Sequence, residues 1–279
     1  MSVHRLRLGG RDVTLLHGPA GWGECSPLPG YPCSEQAAWA AAEEAACSSW
    51  PGGVRDEVPV NALVDHGPWP DPATLARFPC VKVKVGRGDP REDVDRVAAM
   101  RDTVGPSTRL RVDANGAWDL ETAVGVLARL ARYDLELAEQ PVRSLDDLAR
   151  VRRRAAVPVA ADECVRDVDD ARRLRSLGAA DAVVLKVQPL GGVRAALRVA
   201  EAAGVPAVVT SMMETSIGIA AGVALACALP DLSYACGLAT ASLLEADVVA
   251  DRLVPSGGVI RRRAVEPDRD LLARYEVTR

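Results

Sequence analysis

The runs VKVKV (81–85), RLRVD (109–113), LELAE (135–139), VPVAAD (157–162) and AVVLKV (182–187) decide the fold. Each is short and dominated by aliphatic residues. Each is followed by a stretch whose apolar residues recur three and four apart, the period of an amphipathic helix. Working outward, this alternation predicts strands over Val58–Val64, Val81–Val85, Arg109–Asp113, Leu135–Glu139, Val157–Asp162, Ala182–Val187, Ala207–Ser211 and Leu232–Gly237. It predicts helices over Asp89–Val104, Asp119–Tyr133, Ser144–Ala155, Val168–Leu177, Val193–Ala203 and Thr215–Leu229. Asp119, Ser144 and Thr215 fit as N-caps, and Gly178 and Gly204 as C-terminal stops. The pattern is least regular around Asp71–Arg77. Eight strands alternating with helices imply an α/β protein whose parallel sheet closes into a barrel. An open doubly wound sheet is the alternative, but no G-x-G-x-x-G follows the first strand.

The barrel is expected over 58–240. Residues 1–57 read as a small α+β domain, with strands His4–Leu8 and Asp12–Leu16, a Gly/Pro-rich loop Gly21–Tyr31 and an Ala-rich helix Ser34–Ser49. The Arg/Asp-rich tail, 241–279, is expected to return to that small domain.

Composition narrows the function. With 48% hydrophobic and 26% charged residues the chain is globular, not disordered. A net charge of −4 and 4% aromatics leave no basic groove or stacking platform, so nucleic acid is not an expected partner. Met1–Gly10 lacks the apolar core of a secretory signal. The longest nearly apolar run, Ser216–Leu229, falls short of the about 20 residues that span a bilayer. The 7 cysteines form no C-x-x-C pair and read as reduced thiols. A cytoplasmic location with no membrane partner is expected.

Only 3 of the 34 basic residues are lysine: Lys82, Lys84 and Lys186. Arginine stays protonated at any useful pH, whereas a lysine can lose and regain its proton. All three lysines sit in strand-like apolar runs. Lys82 and Lys84 are two apart and so share a face, which alternation with Val81, Val83 and Val85 turns inward. Asp113, Glu139, Asp162 and Lys186 each end a following strand, at intervals of 29, 26, 23 and 24 residues counted from Lys84. In a barrel, strand ends of this kind meet at the C-terminal mouth. Asp113, Glu139 and Asp162 would converge there and require a cation; hard oxygen donors without His or Cys select Mg²⁺ or Mn²⁺. Two adjacent ammonium groups would depress each other's pKa and make Lys84 a base, with Lys82 orienting it. Lys186 would approach a bound substrate from the opposite side. A metal flanked by lysines suits proton removal next to a carboxylate, with the enediolate stabilised by positive charge. Cys164 has no His partner and is not a nucleophile.

In order and spacing, K-V-K, D-A-N-G-A-W, E-Q-P, D-E-C and L-K-V-Q-P resemble the enolase superfamily, in its muconate-lactonizing-enzyme-like branch, over nearly the whole chain. GWGECSPLPGY (21–31), SMMETSIGIAAG (211–222) and GLATASLLEADVV (237–249) are most similar to the o-succinylbenzoate synthase family within it. The resemblance implies a capping domain over a (β/α)7β barrel. It implies Mg²⁺ on Asp113, Glu139 and Asp162, and a small anionic carboxylate substrate near Thr210, Ser211 and Met213. The implied reaction is a syn-dehydration in menaquinone biosynthesis. Lys84 would take the proton and return it to the leaving hydroxide, and Lys186 would stabilise the enediolate. Two departures stand out: the segment between Arg7 and Gly21 is short, and Cys164 stands where the family often has Ser.

The core motifs also suit an N-acylamino acid racemase, a dipeptide epimerase or a muconate cycloisomerase. Dipeptide epimerases usually carry Asp-x-Asp near the last strand, where this chain has YACGLATAS (234–242) and no acid. A non-catalytic binding barrel is the rival from another class. The sequence leaves monomer and homo-oligomer open.

Overall fold

A computed structural model describes residues 1–277. The small domain begins with three antiparallel strands, β1 (Ser2–Leu8), β2 (Arg11–Gly18) and β3 (Gly21–Cys25), followed by helix α1 (Glu35–Cys47). Ser34 caps α1 by accepting from the Ala37 amide. The sequence reading placed Gly21–Cys25 in a loop; the structure makes it a strand. Its glycine serves close packing, because a Cβ on Gly23 would lie 2.0 Å from the Ala42 carbonyl oxygen of α1.

The barrel sheet contains, in spatial order, β5 (Ala62–Val64), β6 (Cys80–Lys84), β7 (Arg109–Asp113), β8 (Leu135–Glu139), β9 (Val159–Ala161), β10 (Ala182–Lys186) and β11 (Ala207–Thr210), all parallel. The eighth predicted strand, Leu232–Gly237, is reduced to single bridges, Cys236 to Val60 and Gly237 to Thr210. These two contacts join the first and last strands and close the barrel. The predicted run Val58–Val64 is also divided. Pro59 cannot donate to a ladder, and β4 (Glu57–Pro59) pairs instead with β12 (Val259–Arg261) of the tail.

Around the sheet lie α2 (Pro72–Leu75), α3 (Pro90–Val104), α4 (Leu120–Leu130), α5 (Leu145–Arg154), α6 (Val168–Leu177), α7 (Val187–Leu190), α8 (Val193–Ala203), α9 (Ser216–Ala228) and α10 (Arg269–Tyr275). Asp119, Ser144 and Thr215 cap α4, α5 and α9, and Gly178 and Gly204 end α6 and α8 in the left-handed conformation. Val81, Val83 and Val85 are buried in the apolar layer between sheet and helices, so Lys82 and Lys84 face inward. The tail returns to the small domain: Glu276 bridges to Leu6, and Leu272 and Tyr275 pack on the cluster of Leu6, Leu8, Val13, Leu15, Ile217, Val248 and Val249. Among the described residues no helix is long and apolar enough to cross a membrane.

Candidate active site

Adjacent strands carry the predicted groups to one end of the barrel. Asp113 and Glu139 end β7 and β8, Asp162 follows β9, Lys186 ends β10, and Lys82 and Lys84 lie on β6. Register places Lys84 beside Asp113 and Asp113 beside Glu139. The mouth holds a cavity of about 510 Å³ lined by Lys82, Lys84, Lys186 and Asp113 together with capping-domain residues 28–32.

The three carboxyl groups do not converge on a single point here. Each is turned to an ammonium group. Lys82 Nζ lies 3.1 Å from Asp113 Oδ2 and 2.9 Å from Glu139 Oε1. Lys84 Nζ donates to Asp113 Oδ2 at 2.7 Å and to Asn115 Oδ1 at 2.6 Å. Lys186 Nζ is bonded to Asp162 Oδ2. Among the described residues no three His, Cys, Asp or Glu side chains already form a metal-sized cluster. Three adjacent buried acids require positive charge, and the lysines supply it.

The electrostatics overturn one expectation. Lys82 was predicted to be depressed by its neighbours. Burial does pull it down, but the carboxylates of Glu139 and Asp113 outweigh burial and hold it above the ordinary lysine range. Lys186 is likewise pulled down by burial and raised by Asp162, with a net upward shift. Burial opposes ionised Asp113, yet Lys82 and Lys84 keep its carboxyl well below the usual range. Burial and the Asp113 charge push Glu139 up to about 7.

That residual repulsion is where a divalent cation fits. The donors are three nearly inaccessible carboxylates, 1% to 4% exposed. Asp113, Glu139 and Asp162 would hold it. Such oxygen sets suit Mg²⁺ or Mn²⁺.

Thr210, Ser211 and Met213 all line the cavity. Ser211 Oγ donates to the Gly237 carbonyl at 2.6 Å and lies 2.7 Å from Thr240 Oγ1, so the hydroxyls also fasten the barrel seam. Met213 has φ of +63°, unusual for a residue with a side chain; Arg11 Nη1 holds its carbonyl. Burial pushes the Cys164 thiol up to about 12, away from the reactive thiolate, and its Sγ lies 3.2 Å from Gln140 Oε1.

Sequence reasoning missed several participants. Tyr31 donates from its hydroxyl to Asp162 Oδ1 at 2.7 Å and accepts from Lys186 Nζ at 2.9 Å. Its only signal was a tyrosine ending a Gly/Pro-rich loop. Asn115, two residues past Asp113, links Lys84 to Glu163 through its amide at 2.8 Å. Gln140 Oε1 accepts the Asp162 amide at 2.7 Å and fixes the end of β9.

A second buried acid group joins the two domains. Glu24 of β3 accepts from Ser26 Oγ at 2.6 Å, Thr215 Oγ1 at 2.5 Å, the Thr215 amide at 3.2 Å and the Gly218 amide at 2.9 Å. It therefore supports the N-terminus of α9 from the other domain. Ser26 in turn donates its amide to Gln188 Oε1 at 2.8 Å. Glu214 accepts the Met212 amide at 2.5 Å; burial and the nearby Glu24 push it up to about 7. Burial raises Glu24 as well, against its four donors.

Known proteins agree with this architecture. The family described as Enolase C-terminal domain-like matches residues 70–268, and Enolase N-terminal domain-like matches residues 5–46. The chain is 54% identical over 273 residues to o-succinylbenzoate synthase of Thermobifida fusca, covering 96% of this chain and 86% of that protein. It is 44% identical to o-succinylbenzoate synthase of Mycobacterium leprae, covering 92% and 78%. In structure it is similar to muconate cycloisomerase from Pseudomonas fluorescens, with a TM-score of 0.87 at 23% identity, covering 99% of this chain and 97% of that one. The last likeness concerns the fold alone.

Proposed function

The chain belongs to the enolase superfamily and to its o-succinylbenzoate synthase family, and on that premise we propose how its residues act. The enzyme is a hydro-lyase that converts 2-succinyl-6-hydroxy-2,4-cyclohexadiene-1-carboxylate to o-succinylbenzoate and water, a step of menaquinone biosynthesis. The observation that carries the residue assignment is that all three lysines of the chain bond the buried acids at the barrel mouth, and among the described residues no arginine pairs with those acids.

Lys84 removes the proton from C1 of the substrate and the C–H electron pair enters an enediolate. The electrons then return to expel hydroxide from C6, and the Lys84 ammonium delivers its proton to that group, releasing water. One residue serves both steps because both bonds lie on one face. Lys186, four strands around the sheet, balances the enediolate charge from the other side. Lys82, held by Asp113 and Glu139, orients its neighbour. Asp113, Glu139 and Asp162 would hold Mg²⁺, which would supply positive charge to the substrate carboxylate and favour the neutral amine of Lys84. Thr210, Ser211 and Met213 bound the pocket for this small anionic substrate. The pathway supports a cytoplasmic site of action.

The test follows the cyclohexadiene substrate spectrophotometrically. Rapid conversion with Mg²⁺, lost in EDTA, is expected. Failure to convert it by protein that binds Mg²⁺ would contradict the substrate and move the reading to a racemase or cycloisomerase.

A further inference from the structure

Tyr31 reaches the site from the other domain, on a turn built for stiffness. Leu28-Pro29-Gly30-Tyr31 closes with the Tyr31 amide donating to the Leu28 carbonyl at 3.2 Å. Gly30 has φ of +83°. Proline second and a positive-φ glycine third are what a type II turn demands. Immediately upstream, Ser26 is fixed to Gln188 of α7 and to Glu24. The loop is thus pinned to the barrel before it presents its side chain.

What it presents is specific. The hydroxyl takes one oxygen of Asp162, Oδ1 at 2.7 Å, while the other, Oδ2, accepts from the Lys186 ammonium. The same hydroxyl accepts from Lys186 Nζ at 2.9 Å, and that ammonium lies 4.1 Å from the centre of the tyrosine ring. A carboxylate with one oxygen tied has a fixed orientation for its other oxygen. Partners that orient a ligating group in this way control metal affinity. The ring adds attraction for the ammonium whether or not a hydroxyl is present.

We propose that Tyr31 is a positioning residue: its hydroxyl sets Asp162 toward the cation and Lys186 toward the substrate, so that the capping domain completes both halves of the site. The inference rests on the dehydratase reading for its kinetic part and on the acid set alone for its metal part.

The experiment compares Tyr31→Phe, Tyr31→Ala and Gly30→Ala with the wild type by Mg²⁺ calorimetry and by steady-state kinetics. Tyr31→Phe keeps the ring and is expected to bind Mg²⁺ about 10-fold more weakly or worse. Its kcat should fall by about 10-fold with KM changed less than about threefold, the split expected of a lost positioning contact. Tyr31→Ala should lose further kcat. Gly30→Ala adds a Cβ that meets nothing within 4 Å, so any deficit it shares with Tyr31→Phe comes from a misplaced turn. Mg²⁺ affinity and kcat unchanged in Tyr31→Phe would overturn the proposal, as would a loss in KM alone. If the wild type binds Mg²⁺ but leaves the cyclohexadiene unconverted, the substrate reading has failed, and the calorimetric comparison still decides the role of Tyr31.

Discussion

Two groups of buried acids lie in this molecule and are stabilised in opposite ways. At the barrel mouth, Asp113, Glu139 and Asp162 face three ammonium groups. At the domain junction, Glu24 and Glu214 are held by amides, hydroxyls and a glutamine side chain, and among the described residues no ammonium is bonded to either. Lysines and metal ions are exchangeable partners: one can be displaced by the other, and a lysine can give up its proton. Fixed backbone amides cannot do either. The first group is therefore suited to chemistry, and the second to holding segments 26–31 and 211–215 where the chemistry needs them.

This contrast can be broken by metal removal first. EDTA is expected to reduce turnover to background, with full recovery on adding Mg²⁺, while near-ultraviolet circular dichroism stays folded. Loss of tertiary signal on chelation would mean that the two groups are not independent. Next, Asp162→Asn should weaken Mg²⁺ binding in calorimetry by more than the roughly 10- to 100-fold typical of residues that merely orient a ligand. An unchanged affinity would remove Asp162 from the set.

The junction should respond in stability. Glu24→Ala strands four donors and is expected to cost about 3 kcal/mol in urea unfolding, with Mg²⁺ affinity falling by no more than the about 10-fold of a displaced Tyr31. A loss of metal binding with no loss of stability would reverse the assignment. The remaining effect concerns pH. The folded state holds Glu214 protonated up to about 7, while the unfolded chain releases that proton near 4.5. Between those values the folded state binds more protons, so stability falls as pH rises and is lowest above about 7. Glu214→Gln removes this term. Measured from pH 5 to pH 8, wild type should lose up to about 3 kcal/mol relative to the variant; parallel curves would show that the group is not perturbed.

The two groups also differ in how plainly the sequence announced them. Asp113, Glu139 and Asp162 were legible because each ends a run whose periodicity marks a strand, and barrel geometry brings strand ends together. The lysines stood out because arginine fills every other one of the 34 basic positions. Glu24 carried no such mark. Its partners Thr215 and Gly218 lie about 190 residues away, and the glycines around it suggested a loop where α1 in fact packs close. Tyr31 was hidden for the same reason, since a turn at one end of the chain meets a strand end in its middle. The eighth strand was overcalled because two bridges suffice to close the barrel where a full ladder was expected.

The central claim is that Lys84 acts by exchanging its proton and not by its charge. Turnover of Lys84→Arg beside Lys84→Ala tests it most directly. Arginine keeps the positive charge but cannot exchange the proton near neutral pH. The account predicts that both variants fall by roughly 10²- to 10⁴-fold, with arginine giving little rescue over alanine. Substantial activity in Lys84→Arg, with Mg²⁺ binding intact, would contradict it.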